Sequence, residues 1–165
     1  MPRRYLSSLL IALLLSPCAA QASPTASIEW AGTYTASSIE RVDSPSSVTG
    51  KLTVSSAKQL EKRGTRIEAA LGTRFAMAFK FSGENSAQPV SYEEIWYFPK
   101  PGLTNPETKQ TMASEKYSVV CQLNATRIAG RIFSEPWELR PGTWAVEILV
   151  GNKPVLRQAF EISVR

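Results

Sequence analysis

The sequence predicts an all-β fold, an antiparallel β-sandwich of about seven or eight strands. Three observations predict it. Apolar side chains alternate with polar or small ones over short segments, turn residues separate those segments at regular intervals, and no segment carries an amphipathic helical period. Parallel α/β sheets, covered on both faces, would give continuous apolar runs instead. No internal repeat or second domain is visible, so residues 23–165 read as one domain, long enough to bury a core.

The N-terminus reads as a processing signal. Arg3 and Arg4 precede an apolar run from Leu6 to Leu15, too short to span a bilayer, and Ala20-Gln21-Ala22 follows as a cleavage site. Residues 1–22 are therefore expected to be a signal peptide cleaved after Ala22, giving a periplasmic or secreted bacterial protein. A second reading makes Cys18 the lipid anchor of a lipoprotein, although Pro17 fits poorly before an acylated cysteine.

Ile28, Trp30, Gly32 and Tyr34 alternate as one face of the first strand. A serine-rich connection, residues 37–47, leads to a strand at 48–54. "SAKQLEKRG" is read as at most one helical turn, too short to be stable alone. In residues 74–81, Phe75, Met77, Phe79 and Phe81 face one way while Arg74, Ala76, Ala78 and Lys80 face the other, marking a central core strand. Residues 90–98 form the next strand. Residues 98–112 hold three prolines and read as a long loop.

Strands resume at 116–123, where Tyr117, Val119, Cys121 and Leu123 share a face, and at 127–133. Trp144, Val146, Ile148 and Val150 then alternate on one arm of a terminal hairpin, with Leu156, Phe160, Ile162 and Val164 on the other. Gly151-Asn152 supplies its tight turn.

Leu139-Arg140-Pro141-Gly142-Thr143-Trp144 resembles the corner before strand F of fibronectin type III and related immunoglobulin-like domains. Ala145 stands where those domains carry the tyrosine of the tyrosine corner. Four stretches together resemble a family of small bacterial secreted domains of unknown function with an immunoglobulin-like fold. They are Leu71-Gly72-Thr73-Arg74-Phe75, the proline-rich run from Pro99 to Thr108, the run from Phe133 to Trp144, and Gln158 to Ile162. That resemblance implies a fold and carries no mechanism.

Composition removes several chemistries. The chain has no histidine, which excludes Ser-His-Asp and Cys-His catalysis and histidine metal sites. Asp43 is the single aspartate and the glutamates are dispersed, so neither a metal nor a cofactor is expected. Losing Arg3 and Arg4 lowers the net charge from +5 to +3, and the remaining bases form no stripe, which argues against nucleic acid. Cys121, alone after cleavage, reads as a buried and unreactive thiol.

Glu93 and Glu94 are neighbours on a strand and must face opposite sides of the sheet, so they cannot flank one bond. Glu135 and Glu138 share a side of a turn and read as a solvated pair. Trp96 and Trp144 are assigned to the core and its corner, while Trp137, after Pro136, is the tryptophan left for binding. Phe98, Pro101 and Leu103 are the other binding candidates, on a loop that could equally be a rigid edge cover. The expected function is a non-catalytic binding or accessory module for a protein or envelope component. The alternative is a carbohydrate-binding module using exposed aromatics.

Overall fold

The computed structural model describes residues 25–56, 58–83 and 89–165. In chain order the strands are β1 (Thr25–Thr35), β2 (Ser38–Asp43), β3 (Lys51–Ser56), β4 (Gln59–Arg63), β5 (Arg66–Ala69), β6 (Arg74–Ser82) and β7 (Pro89–Tyr97). They continue with β8 (Leu103–Thr104), β9 (Thr111–Met112), β10 (Ser114–Gln122), β11 (Thr126–Ile132), β12 (Gly142–Val150) and β13 (Lys153–Val164). One sheet runs β11-β6-β1-β4 and the other β10-β7-β12-β13-β5, with β5 parallel to β13 and every other pairing antiparallel. The fold is an immunoglobulin-like all-β sandwich.

The predicted alternation on β6 holds: Phe75, Met77, Phe79 and Phe81 are all fully buried. The rings of Trp96, Phe133, Trp144 and Phe160 surround Phe75 at centroid distances of 5.1–6.0 Å, three of them edge-on and Phe133 stacked. Such contacts add to the area that these large side chains bury. Strand β12 contributes Trp144, Val146 and Ile148 to the same core.

The corner before β12 keeps its hydrogen bond by other means. The Trp144 indole N–H donates to the Arg140 carbonyl, 2.9 Å away and four residues upstream. A tyrosine corner makes the same kind of backward bond from its hydroxyl, so tryptophan one position early replaces it. In the last hairpin Gly151 and Asn152 have φ of 56° and 64°, as a type I′ turn requires.

Three local readings are corrected. A bulge between Ile28 and Trp30 inserts one residue into β1, so Ile28 pairs with Phe79 on the inner side while Trp30 and Gly32 pair with Ala78 and Ala76 on the outer side. One extra residue inverts the parity of everything after it. Residues 59–63 form edge strand β4 and no helical turn, because pairing with β1 outweighs a weak local preference. Strand pairing also extends into two stretches expected to be irregular: β2 pairs with β3, and β8 with β9 inside the 98–112 loop.

Candidate functional site

Strands β10 and β11 follow each other in sequence but are the outermost strands of different sheets, so the sandwich opens between them. Strand alternation turns Arg127, Ala129 and Arg131 of β11 inward, together with Glu115 and Tyr117 of β10 and Glu94 and Trp96 of β7. The β2–β3 hairpin bends over this opening. Its tip is held at both backbone groups of Val48: the N–H donates to Glu115 Oε1 at 2.7 Å, and the carbonyl accepts from Asn105 Nδ2 at 2.9 Å. Asn105 is itself fixed, its Oδ1 accepting the Glu107 N–H at 2.8 Å.

Beneath the hairpin lies a cavity of about 280 Å³, walled by Tyr34, Glu94, Trp96, Arg131, Trp137 and Glu138 among others. Gly130 makes room for one wall, since a Cβ there would stand 3.0 Å from the Tyr34 ring. Arg131 joins the cavity to the core. Its guanidinium pairs with Glu115 at 2.5 Å and lies 3.8 Å from Glu138. It also sits 5.0–5.9 Å from the ring centres of Phe98, Trp144 and Trp96, where cation–π attraction operates.

Glu115 is completely buried yet held ionised. Burial pushes its carboxyl up, but the Arg131 charge and hydrogen bonds from Tyr117, Arg131 and the Val48 N–H outweigh burial and leave it below the usual glutamate value. The Tyr117 hydroxyl, donating to that carboxylate at 2.5 Å, is pushed up by burial and by the negative charge beside it.

Glu94 and Glu138 go the other way: burial raises both carboxyls despite their neighbours. Glu138 accepts the Ser134 and Glu135 backbone N–H groups at 2.7 and 2.8 Å, capping the short 3₁₀ helix Pro136–Glu138. Glu94 accepts one hydrogen bond, from Trp96 Nε1 at 2.7 Å, and has no cation within 4.0 Å among the described residues.

Among the described residues no three His, Cys, Asp or Glu side chains converge to hold a metal ion, and no helix is long and apolar enough to cross a membrane. A family model described as Domain of unknown function (DUF3859) matches residues 23–162. The chain belongs to the DUF3859 family.

Among solved structures, an immunoglobulin-like protein from Pseudomonas aeruginosa is similar to this DUF3859 chain over 87% of its length and 99% of the other's, with 23% identity and a TM-score of 0.58. That likeness supports the fold. An alkylpurine DNA glycosylase from Pseudomonas fluorescens, bound to abasic-site DNA, aligns over 59% of this chain and 27% of the other at 17% identity. Its TM-score of 0.38 carries no argument about function. No curated protein matches the chain.

Of the four candidate binding residues in this DUF3859 domain, the structure places Trp137 on the cavity wall, half-buried. Phe98 and Leu103 are 7% and 0% exposed and belong to the core, with Phe98 lying under Arg131, while Pro101 is exposed. Proline-rich sequence hid this, because the loop folds back through β8 and β9 and tucks its apolar residues inward. Glu138 is 2% exposed, so the solvated pair with Glu135 does not exist; Glu135 instead lies 3.9 Å from Arg41. Glu93 and Glu94 do face opposite sides, Glu93 meeting Lys116 at 2.7 Å.

Sequence reasoning missed Glu94, Glu115 and Arg131. Their signal was parity. Glu94 falls in step with Val90, Tyr92 and Trp96, and Glu115 with Tyr117 and Cys121, so both charges had to point into the sandwich.

Proposed function

We propose that this chain is an exported, single-domain binding module without catalysis, and that it captures a protein or envelope component in the cleft beneath the β2–β3 hairpin. One observation carries the reading. The cleft is concave and polar, its walls are held by a buried ionic network on rigid strands, and Trp137 stands among its lining. Export rests on the n-region, apolar run and Ala20-Gln21-Ala22 of residues 1–22, which lie outside the described residues. The lack of histidine and the internal pairing of Glu115, Arg131 and Glu138 support a role in binding over one in catalysis.

Carbohydrate is the second reading, favoured by the half-buried Trp137 ring beside carboxylates and arginines that could hold hydroxyls. Photo-crosslinking in the native envelope tests the site. Trp137→p-benzoylphenylalanine is expected to yield a discrete adduct, while the same replacement at Val120, an exposed β10 residue absent from the cleft lining, yields none. Equal labelling from both positions, or none from position 137, would remove the cleft from the account. A glycan adduct would select the carbohydrate reading.

A further inference from the structure

The charges around the cleft do not cancel evenly. Each cation in its lining already has a carboxylate: Arg41 lies 3.9 Å from Glu135, Lys51 bonds to Asp43 at 2.5 Å, and Arg131 pairs with Glu115. Among the described residues, the lining carboxylates left without a cation within 4.0 Å are Glu94, on the wall, and Glu107, at the exposed margin. Thus, among the described residues, the lining side chains left without an ion-pair partner are both carboxylates, in a chain whose net charge is +5. Half-buried Trp137 supplies accessible aromatic surface to the same space, while the Trp96 and Tyr34 rings close its floor.

We propose that the cleft takes an alkylammonium group, with Glu94 as its counter-ion. This rests on the cleft being the binding site. An ammonium offers Glu94 hydrogen bonds together with a compensating charge, where a neutral polyol offers hydrogen bonds alone and an anion repels it, and desolvated charge pairs and aromatic faces both strengthen as water is excluded. The groups acting on Glu94 are Trp96, which donates to it, and the cations Lys58, Arg131 and Arg127, with Tyr92 close enough to feel its charge. None of the three cations comes within ion-pair distance. Arg131 is held by Glu115, and the Lys58 ammonium lies 5.9 Å from the centre of the Tyr34 ring, its own pKa lowered by burial. The ammonium has two sources, a free linear amine or a lysine side chain of a partner.

The test titrates the full-length chain at neutral pH and low salt with diaminopentane, with the matching pentane diol, and with a lysine-containing peptide blocked at both ends. Tryptophan fluorescence reads binding. Saturable binding of the amines and none of the diol is expected, weakened by about tenfold or more in Glu94→Gln. Its amide oxygen can still accept from Trp96, so the wall is kept while the charge is lost. Affinity should also fall on acidification, beginning above the ordinary glutamate range because burial raises the Glu94 carboxyl.

Tighter binding of the diamine identifies a free amine, and tighter binding of the peptide a partner's lysine. Binding of the diol as strongly as the diamine, binding of neither amine, or unchanged binding in Glu94→Gln would overturn the proposal. The amine–diol contrast needs no variant, so a Glu94→Gln protein that failed to fold would still leave a decision. Persisting crosslinks at position 137 without amine binding would sink the ammonium alone. Loss of both would sink the cleft as well.

Discussion

Two regions of the space between the sheets are held together by different physics. Around Phe75 the sheets meet through rings that exclude water, with Phe133, Trp144 and Phe160 all fully or nearly fully buried. At the open edge between β10 and β11 they meet through Arg131, Glu115 and the backbone of Val48. The aromatic region rests mainly on shape, with one indole hydrogen bond, from Trp144 to the Arg140 carbonyl, at its corner. The charged region works only while every partner is present, because a buried ion left alone costs several kcal/mol, on the order of the stability of a small domain. The difference is what motivates placing the proposed site at the open edge: stability alone would favour an apolar filling such as leucine, and this fold keeps there a carboxylate with no cation within 4.0 Å among the described residues.

Breaking either side should cost about the same for opposite reasons. Phe75→Ala is expected to destabilise by about 3–5 kcal/mol through cavity formation, equally at neutral and mildly acid pH. Arg131→Ala is expected to cost about 3–5 kcal/mol by stranding Glu115 and Glu138, and urea unfolding at neutral pH measures both. The two separate on acidification. Glu115 has a folded-state pKa below the ordinary glutamate value of 4.5, so its contribution is present above that value and lost as pH falls through the folded pKa. In Arg131→Ala that contribution is absent, so its acid unfolding limb should be shallower than that of the parent.

Smaller changes sharpen the contrast. Gly130→Ala should cost about 1–3 kcal/mol by forcing the Tyr34 ring aside, with near-ultraviolet circular dichroism reporting the shift. Trp144→Phe keeps most of the ring packing and removes the bond to Arg140, so a loss of about 1 kcal/mol is expected in thermal unfolding. Cys121 is 6% exposed with its thiol pushed up by burial, and should react with thiol reagents only as fast as the protein opens.

The aromatic region was legible in the sequence, and the charged one was not, for a physical reason. Phe75 to Phe81 and Trp144 to Val150 announce themselves because apolar alternation is the signal that strand periodicity transmits. The Leu139–Trp144 corner was equally legible, down to the missing tyrosine, although the substitute bond from Trp144 needed coordinates. A charged residue on an inward face carries the same parity, but its composition suggests solvent, which is how Glu138 was misplaced. Which buried charges meet depends on how the ends of two sheets and a hairpin tip converge, over separations such as the 67 residues between Val48 and Glu115. The bulge in β1 was invisible for a related reason, since nothing in Ile28-Glu29-Trp30 marks the inserted residue.

On the proposed reading, the open edge gives up stability to keep Glu94 available. Burial raises its folded-state pKa above 4.5, so ionisation opposes folding above that value and ceases to do so below it. The most direct test measures unfolding free energy and diamine binding on the same preparations of parent and Glu94→Gln. The variant should be more stable at neutral pH by about 1 kcal/mol or more, with the gain vanishing in acid, and should lose binding. A variant that is less stable at neutral pH, or that binds the diamine as the parent does, would contradict the account.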